Sequence, residues 1–221
     1  MIRAALFDMD GVLFDTENVG KSLLPSIIEK YNYAYLPNTY EKILGTNTAK
    51  TTETLLQLYG NDLPVAALFH DFHESLCQLA KQGLLPVKKG AIFCLQTLKK
   101  AGFRTALVTS TARPIALQYF QSAPALYEAL DLLVCGDEVT HSKPAPEIYL
   151  TAAKKLSIQP NECIGIEDSL NGLKSVTAAG MTSIMVPDIL PYSNTMKPYV
   201  SHCIDSLEEL PALLTAWSHN E

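Results

Sequence analysis

The hydrophobic positions follow two different periods, and the change between them predicts the elements of the chain. Residues 4–7 form a continuous apolar run, which is typical of a strand buried on both faces. After Thr16, which can serve as an N-cap, apolar residues recur every three or four positions as far as Gly83. Gly45 and Gly60 interrupt that pattern. The stretch therefore predicts four consecutive helices without a strand between them, as in a helical bundle.

A regular alternation of strands and helices follows a linker at residues 86–90. The predicted strands span 104–108, 132–135, 163–166 and 183–186. The predicted helices span 92–100, 114–120, 146–156, 170–179 and 207–217. Such alternation implies right-handed crossovers and a parallel sheet that is covered on both faces. We therefore predict an α/β fold, with a Rossmann-like core (1–15 and 86–221) and an inserted four-helix cap (16–85).

Composition and charge narrow the class of protein. Nearly half of the 221 residues are hydrophobic, which is ample material for a globular core. The net charge is −6 and no basic run exceeds two lysines, which argues against a nucleic-acid partner. The N-terminus does not resemble a signal peptide, and no apolar run approaches the roughly 18 residues that span a bilayer. We expect a cytoplasmic monomer with no membrane partner.

The cysteines are odd in number, widely spaced and without a C-x-x-C pair. Most of them lie in apolar runs, so the pattern predicts reduced core residues rather than disulfides or a metal site. They are Cys77, Cys94, Cys135, Cys163 and Cys203.

Polar side chains that could take part in catalysis or ligand binding follow the predicted strands, at the point where each strand ends. They are Asp8, Asp10, Thr109, Ser110, Lys143, Glu167 and Asp168. Alternate residues of a strand point the same way, so Asp8 and Asp10 can face one crevice. Because the carboxyl ends of parallel strands meet at one edge of a sheet, we expect the whole set to converge there.

Phosphoryl transfer needs a nucleophile in line with the leaving oxygen, charge over the phosphoryl oxygens and a proton for the leaving group. Asp8 could attack phosphorus, and Asp10 could protonate the leaving oxygen and later deprotonate water. Asp8 and Asp168 could hold Mg²⁺, since it prefers oxygen ligands. The phosphate oxygens could be bound by Thr109, Ser110 and Lys143.

Each of these residues also has an ordinary structural interpretation. The two N-terminal carboxylates fit an acidic turn before Gly11, and Lys143 fits a solvated loop lysine. Thr109 could bond the local backbone, and Asp168 could be the N-cap of the following helix. Their joint placement at matching strand ends favours the catalytic interpretation.

Four segments resemble, in order, the motifs of the haloacid dehalogenase-like hydrolases: Asp8–Val12, Val108–Ser110, Ser142–Pro144 and Gly165–Ser169. The phrases DGVLFDTE (10–17) and KPAPEIY (143–149) resemble the beta-phosphoglucomutase-like subgroup, which carries a helical cap after the first motif. The resemblance implies the roles given above and Mg²⁺ as cofactor, bound also by the backbone carbonyl of Asp10. It places Glu167 beside the metal ligands rather than among them.

This sequence differs from the mutase members of the subgroup at two positions, and the differences bear on whether the enzyme is a phosphatase or a mutase. The mutases carry a histidine where Gly20 stands and an arginine, which grips a distal phosphate, where Thr48 aligns. Lys50 is an alternative cation there, although a solvated helix lysine is the simpler interpretation. We therefore predict a phosphatase rather than a hexose-phosphate mutase. A non-catalytic ligand-binding protein of the same fold is the third hypothesis.

The cap is expected to set substrate choice, because it closes over the crevice. Its polar candidates for contact with the substrate are Glu17, Asn18, Lys21, Asn47, Thr48 and Lys50. A polar set of this kind suits a small phosphorylated metabolite, in particular a sugar phosphate. His70 and His73 are predicted to lie on an exposed helix face rather than to bind a metal.

Overall fold

The computed structural model describes residues 1–46 and 48–218. Its strands are β1 (Ala4–Phe7), β2 (Arg104–Val108), β3 (Leu132–Val134), β4 (Cys163–Glu167), β5 (Thr182–Met185) and β6 (His202–Cys203). Its helices are α1 (Thr16–Lys30), α2 (Thr39–Ile43), α3 (Thr48–Tyr59), α4 (Val65–Lys81), α5 (Ala91–Lys100), α6 (Arg113–Tyr119), α7 (Pro124–Ala129), α8 (Glu147–Leu156), α9 (Leu170–Ala178) and α10 (Leu210–Ser218).

All six strands form one parallel sheet in the order β3-β2-β1-β4-β5-β6. Ala4 of β1 pairs with Arg104 of β2 on one side and with Cys163 of β4 on the other. The chain builds the sheet outwards from β1 in one direction and then, from β4, in the other. This is the arrangement in which a crevice opens at the carboxyl ends of the two central strands.

The central strand alternates its side chains between two hydrophobic layers. Ala5 and Phe7 belong to a cluster that includes residues of α5, α6, α7 and α10. Ala4 and Leu6 belong to a cluster on the opposite face that includes residues of α8 and α9. The prediction of an α/β fold with helices on both faces of a parallel sheet is therefore confirmed.

Helices α1 to α4 share a third hydrophobic cluster, built around residues such as Ile28, Tyr40 and Leu55. We use the name cap for residues 16–85. The two connections between the cap and the sheet lie side by side. Phe14 bridges Val87 in antiparallel fashion, the N–H of Asp15 donates to Pro86 O at 2.9 Å, and that of Lys88 donates to Leu13 O at 2.9 Å.

The observed elements differ from the predicted ones in four places. Asp15, not Thr16, occupies the N-cap position of α1. The sequence predicts the third cap helix over residues 51–59, but helix α3 begins three residues earlier, at Thr48. Helix α7 and strand β6 were not predicted, because each is too short for its period to show. The last predicted helix is a 3₁₀ turn at Leu207–Glu209 followed by α10.

All five cysteines are free thiols. Four of them are buried as predicted, but Cys203 lies on the edge strand β6 and is exposed. Within the described ranges, no helix combines the length and the apolar character that a membrane crossing would need.

Candidate active site

A cavity of about 570 Å³ lies between the carboxyl edge of the sheet and the cap. Asp8 follows β1 directly, and Asp168 follows β4 directly, so the two central strands deliver both carboxylates to its floor. Asp10 and Lys143 also line it. The structure thus brings together four of the predicted residues, at the position where the strand order reverses.

Lys143 is the centre of a buried ion network. Its Nζ donates to Asp8 Oδ1 at 2.6 Å, to Glu167 Oε1 at 2.7 Å and to Val108 O at 3.0 Å. Burial alone would lower the pKa of Lys143, but the charges of Asp8 and Glu167 outweigh burial and raise it. The lysine is therefore a fixed cation against Asp8, and the interpretation as a solvated loop residue is wrong.

Glu167 holds the lysine from the side opposite Asp8. Its carboxylate is fully buried and also accepts a hydrogen bond from Tyr149 Oη at 2.6 Å. Burial raises the pKa of Glu167, and the contacts with Lys143 and Tyr149 oppose that rise. A Cβ at Gly172 would lie 1.9 Å from Glu167 Cδ. Helix α9 can therefore approach this carboxylate only because residue 172 is glycine.

Two threonine hydroxyls hold the second carboxylate. Thr16 Oγ1 donates to Asp10 Oδ1 at 2.8 Å, and Thr111 Oγ1 donates to Asp10 Oδ2 at 3.1 Å. Burial and the neighbouring charge of Asp8 raise the pKa of Asp10 to about 6, against the opposing effect of these hydrogen bonds. Both protonation states of Asp10 are therefore accessible near neutral pH, as a group that gives and takes a proton requires.

Asp168 is not the N-cap of α9. That position belongs to Ser169, whose Oγ accepts the N–H of Gly172 at 3.1 Å. The carboxylate of Asp168 instead approaches Gly11, where a Cβ would lie 2.3 Å from Oδ2. Burial, followed by the charges of Asp8 and Glu167, raises the pKa of Asp168 well above its usual range.

The oxygen atoms at this point suit a hard divalent cation. Carboxylate oxygens of Asp8, Glu167 and Asp168 lie within 4.8 Å of one another. Glu167 is engaged by Lys143 and Tyr149, which leaves Asp8 and Asp168 as the natural ligands. Asp188 Oδ2 is a further buried acceptor near Gly11 and has no hydrogen-bond partner among the described residues. An all-oxygen, acidic donor set of this kind fits Mg²⁺.

Thr109 does not reach the cavity. The residue is fully buried, and its Oγ1 accepts the N–H of Thr111 at 3.1 Å. The side chain of Thr109 therefore supports the loop that follows β2, and its predicted contact with the phosphate stays a prediction. Ser110, the next residue, does line the cavity.

Of the polar cap candidates, the described residues Glu17 and Thr48 line the cavity. Lys21 pairs with Glu41 at 2.9 Å and Lys50 with Glu53 at 2.9 Å, all four side chains being about half exposed. The prediction that these lysines face the substrate is therefore wrong. Asn18, which donates to Asp15 Oδ1 at 2.7 Å, is likewise exposed and absent from the lining. Asn47 lies outside the described residues.

Glu17 is the charged residue that the cap brings to the cavity. It accepts a hydrogen bond from Tyr40 Oη at 2.6 Å. Burial raises the pKa of Glu17 to about 7; the Tyr40 hydrogen bond opposes this, and the charges of Asp10 and Asp188 add to it.

His73 also lines the cavity, and its Nδ1 is buried without a hydrogen-bond partner in the part of the chain that the structure describes. The prediction of an exposed face holds for His70 but is wrong for His73. The sequence pattern does indicate burial of His73. This residue shares helical spacing with Phe69, Phe72 and Leu76 and so lies on the apolar stripe of α4. Thr16, Thr111 and Asp188 were missed because their roles depend on contacts that only the fold creates.

Comparisons with known proteins agree with this geometry. The family model of haloacid dehalogenase-like hydrolases matches residues 5–186. Protein CbbY of Cereibacter sphaeroides is 30% identical over 196 residues, which cover 85% of each chain. A phosphorylated carbohydrates phosphatase of Thermotoga maritima is 29% identical over 186 residues, covering 83% of this chain and 84% of that protein.

Among solved structures, CbbY from Rhodobacter sphaeroides in complex with phosphate superimposes with a TM-score of 0.79 at 26% identity. The match covers 95% of this chain and 96% of that one. The four motif segments, the strand order and these matches coincide along nearly the whole chain. The chain therefore belongs to the haloacid dehalogenase-like hydrolases and is an enzyme of that family.

Proposed function

We propose that this hydrolase is a Mg²⁺-dependent phosphatase that cleaves a small phosphomonoester through an aspartyl-phosphate on Asp8, and that it acts as a cytoplasmic monomer. The observation that carries the proposal is the 2.6 Å contact between Asp8 Oδ1 and Lys143 Nζ at the floor of the cavity. A carboxylate that is ion-paired with a buried lysine, and that faces a substrate-sized cavity, is equipped to act as a nucleophile.

Asp10 completes the reaction as the proton carrier. As Asp8 attacks phosphorus, the bond to the alcohol oxygen breaks and Asp10 donates its proton to that oxygen. In the second half, Asp10 takes a proton from the water that attacks the aspartyl-phosphate, and phosphate is released with Asp8 restored. A pKa of about 6 supports both duties at neutral pH.

The remaining residues handle the charge of the phosphoryl group. Lys143 holds a positive charge beside Asp8, and Ser110 offers a hydroxyl from the cavity wall. Asp8, Asp168 and the backbone carbonyl of Asp10 would hold Mg²⁺, which when bound neutralises the carboxylates and polarises the phosphoryl group.

A mutase remains the second candidate, and two observations disfavour it. A Cβ at Gly20 would lie 2.7 Å from Phe72 Cζ and 2.7 Å from Tyr40 Oη. The space in which the mutases carry a histidine is therefore filled by two aromatic rings. In addition, the cap contributes no lysine or arginine to the described lining of the cavity, where a second phosphate would need a cation.

The test is phosphate release from a panel of phosphoglycolate, nucleotides, sugar phosphates and beta-glucose 1-phosphate, with Mg²⁺ and with a chelator. Sugar phosphates are included because the sequence predicts them and a relative is named for phosphorylated carbohydrates. Chelator-sensitive release of phosphate is the expected result. Isomerisation without net release would identify a mutase, and the absence of turnover on every ester of the panel would point to a very selective cap or to the non-catalytic alternative.

A further inference from the structure

The cap side of the cavity is apolar. Six residues of α1 to α4 define what we call the apolar wall: Leu24, Tyr40, Leu55, Leu68, Phe69 and Phe72. They face the carboxylates and Lys143 across the cavity. A substrate whose phosphate lies at Asp8 must therefore place its alcohol portion against these rings and aliphatic side chains.

The hydroxyl groups near the apolar wall are already engaged. Tyr40 Oη donates to Glu17 at 2.6 Å. Thr46 Oγ1 lies 2.7 Å from Thr51 Oγ1 and 2.7 Å from Ile43 O. Substrate hydroxyls buried against this wall would lose water and find few free partners, and each hydroxyl left unsatisfied costs binding free energy.

Three polar side chains of the described cap lining are available to the substrate. They are Glu17, Thr48, and His73, whose Nδ1 is buried and has no hydrogen-bond partner among the described residues. So small a set suits one or two polar substituents better than the several hydroxyls of a sugar. The cap contributes no lysine or arginine to the described lining that could bind a second anionic group.

We propose that the substrate is a phosphomonoester whose alcohol has an apolar, ring-bearing body, not a polyhydroxylated sugar. This inference rests on the proposed phosphatase function and names its substrate class. Contact of the ring with the apolar wall places the ester oxygen at Asp10. Selection therefore comes from burial of apolar surface, which the phosphate end of the site does not provide.

A matched pair of esters tests the inference. Cyclohexylmethyl phosphate and glucose 6-phosphate both carry the phosphate on a CH₂ group attached to a six-membered ring, and differ chiefly in the hydroxyls. We expect kcat/KM to be at least about tenfold higher for the cyclohexyl ester, since a buried polar mismatch or a lost apolar contact has effects of that size. Acetyl phosphate, which has no ring, serves as the reference for chemistry at Asp8.

Phe69→Ala should raise KM for cyclohexylmethyl phosphate about tenfold, with little change for acetyl phosphate. The matched control is Phe93→Ala, because Phe93 is 56% exposed on α5 and does not line the cavity. It should leave both KM values unchanged.

Hydrolysis of glucose 6-phosphate as fast as the cyclohexyl ester would overturn the inference and leave the phosphatase intact. So would turnover of acetyl phosphate with neither ring ester cleaved, or equal effects of the two phenylalanine substitutions. If neither the esters nor acetyl phosphate, an acyl phosphate, release phosphate in the presence of Mg²⁺, the proposed function itself fails.

Discussion

The sheet side and the cap side of the cavity are built on opposite principles. On the sheet side, Asp8, Asp10 and Lys143 are all charged or ionisable, and each has named partners within 3.1 Å. On the cap side, Leu55 and Phe69 present apolar surface, and Glu17 lies among such residues with one hydrogen bond from a tyrosine. The reacting groups are therefore preorganised by bonds, whereas the alcohol portion of the substrate is selected by shape and burial.

Because of this difference, we expect substitutions on the two sides to have different effects. Changes on the sheet side should alter kcat for every ester, because they act on groups common to all substrates. Changes on the cap side should alter KM for particular esters or the stability of the fold.

Asp8→Asn should have the largest effect. The amide is a poor nucleophile, so turnover of every ester should fall by at least about a thousandfold, while the thermal unfolding curve stays cooperative. An Asp8→Asn enzyme with near-normal rates would refute the nucleophile assignment.

Asp10→Asn should also lose most activity, because proton transfer is lost while the metal ligands are kept. The variant should therefore still bind Mg²⁺ in a titration.

Gly172→Ala should have a smaller, indirect effect. The added methyl group would occupy the position of the Glu167 carboxylate, so Glu167 and with it Lys143 must shift. We expect kcat to fall about 10- to 100-fold, because misplacing a charged group in an active site has consequences of that order. Thr177→Ala, at an exposed position of the same helix, is the control and should retain full activity. Equal activities would show that Lys143 does not depend on the approach of α9.

Glu17→Gln should give the smallest effect, and it should depend on pH. The carboxyl is half-protonated near pH 7 when folded and near pH 4.5 when unfolded, so folding favours its neutral form. Stability is therefore lost as pH rises from about 4.5 to 7, and the loss is complete above that window. The glutamine variant avoids this loss, so we expect it to be more stable than the parent by about 1–3 kcal/mol at pH 8 and by almost nothing near pH 4.5.

Urea unfolding at the two pH values measures this difference. Glu29→Gln, at an exposed position of the same helix α1, is the matched control. An equal change in the free energy of unfolding of both variants, or a change for Glu17→Gln that does not depend on pH, would show that the Glu17 carboxyl is solvated and not buried.

The sheet side could be predicted from the sequence because its residues are fixed by local order. Asp8 and Asp168 each follow an apolar run directly, and the rule for parallel sheets then places them at one edge. Thr109 is buried and Ser110 lines the cavity because adjacent residues at a strand end have opposite orientations. One position decides between burial and the cavity, and the sequence does not contain that detail.

The residues of the cap side that face the cavity could not all be predicted from the sequence. Whether Lys50 or His73 faces the substrate depends on how α3 and α4 are rotated against the sheet, and amphipathic spacing alone does not define that rotation for a helix with two partners. Helix α4 has two such partners, because Phe69 and Leu68 belong to the cap cluster while Leu76 and Cys77 join the cluster of the sheet. Polarity alone therefore selected the wrong residues.

The paired connections at Phe14 and Val87 have a consequence for how this enzyme can change over evolution. Because the segment between them begins and ends at neighbouring backbone positions, it can be lengthened, exchanged or shortened with little effect on the geometry of the sheet. The residues that choose the alcohol lie mainly within that segment, and the principal groups of the chemistry lie outside it. A new substrate range can thus arise by replacing one contiguous piece of the gene, while the chemical step is inherited unaltered.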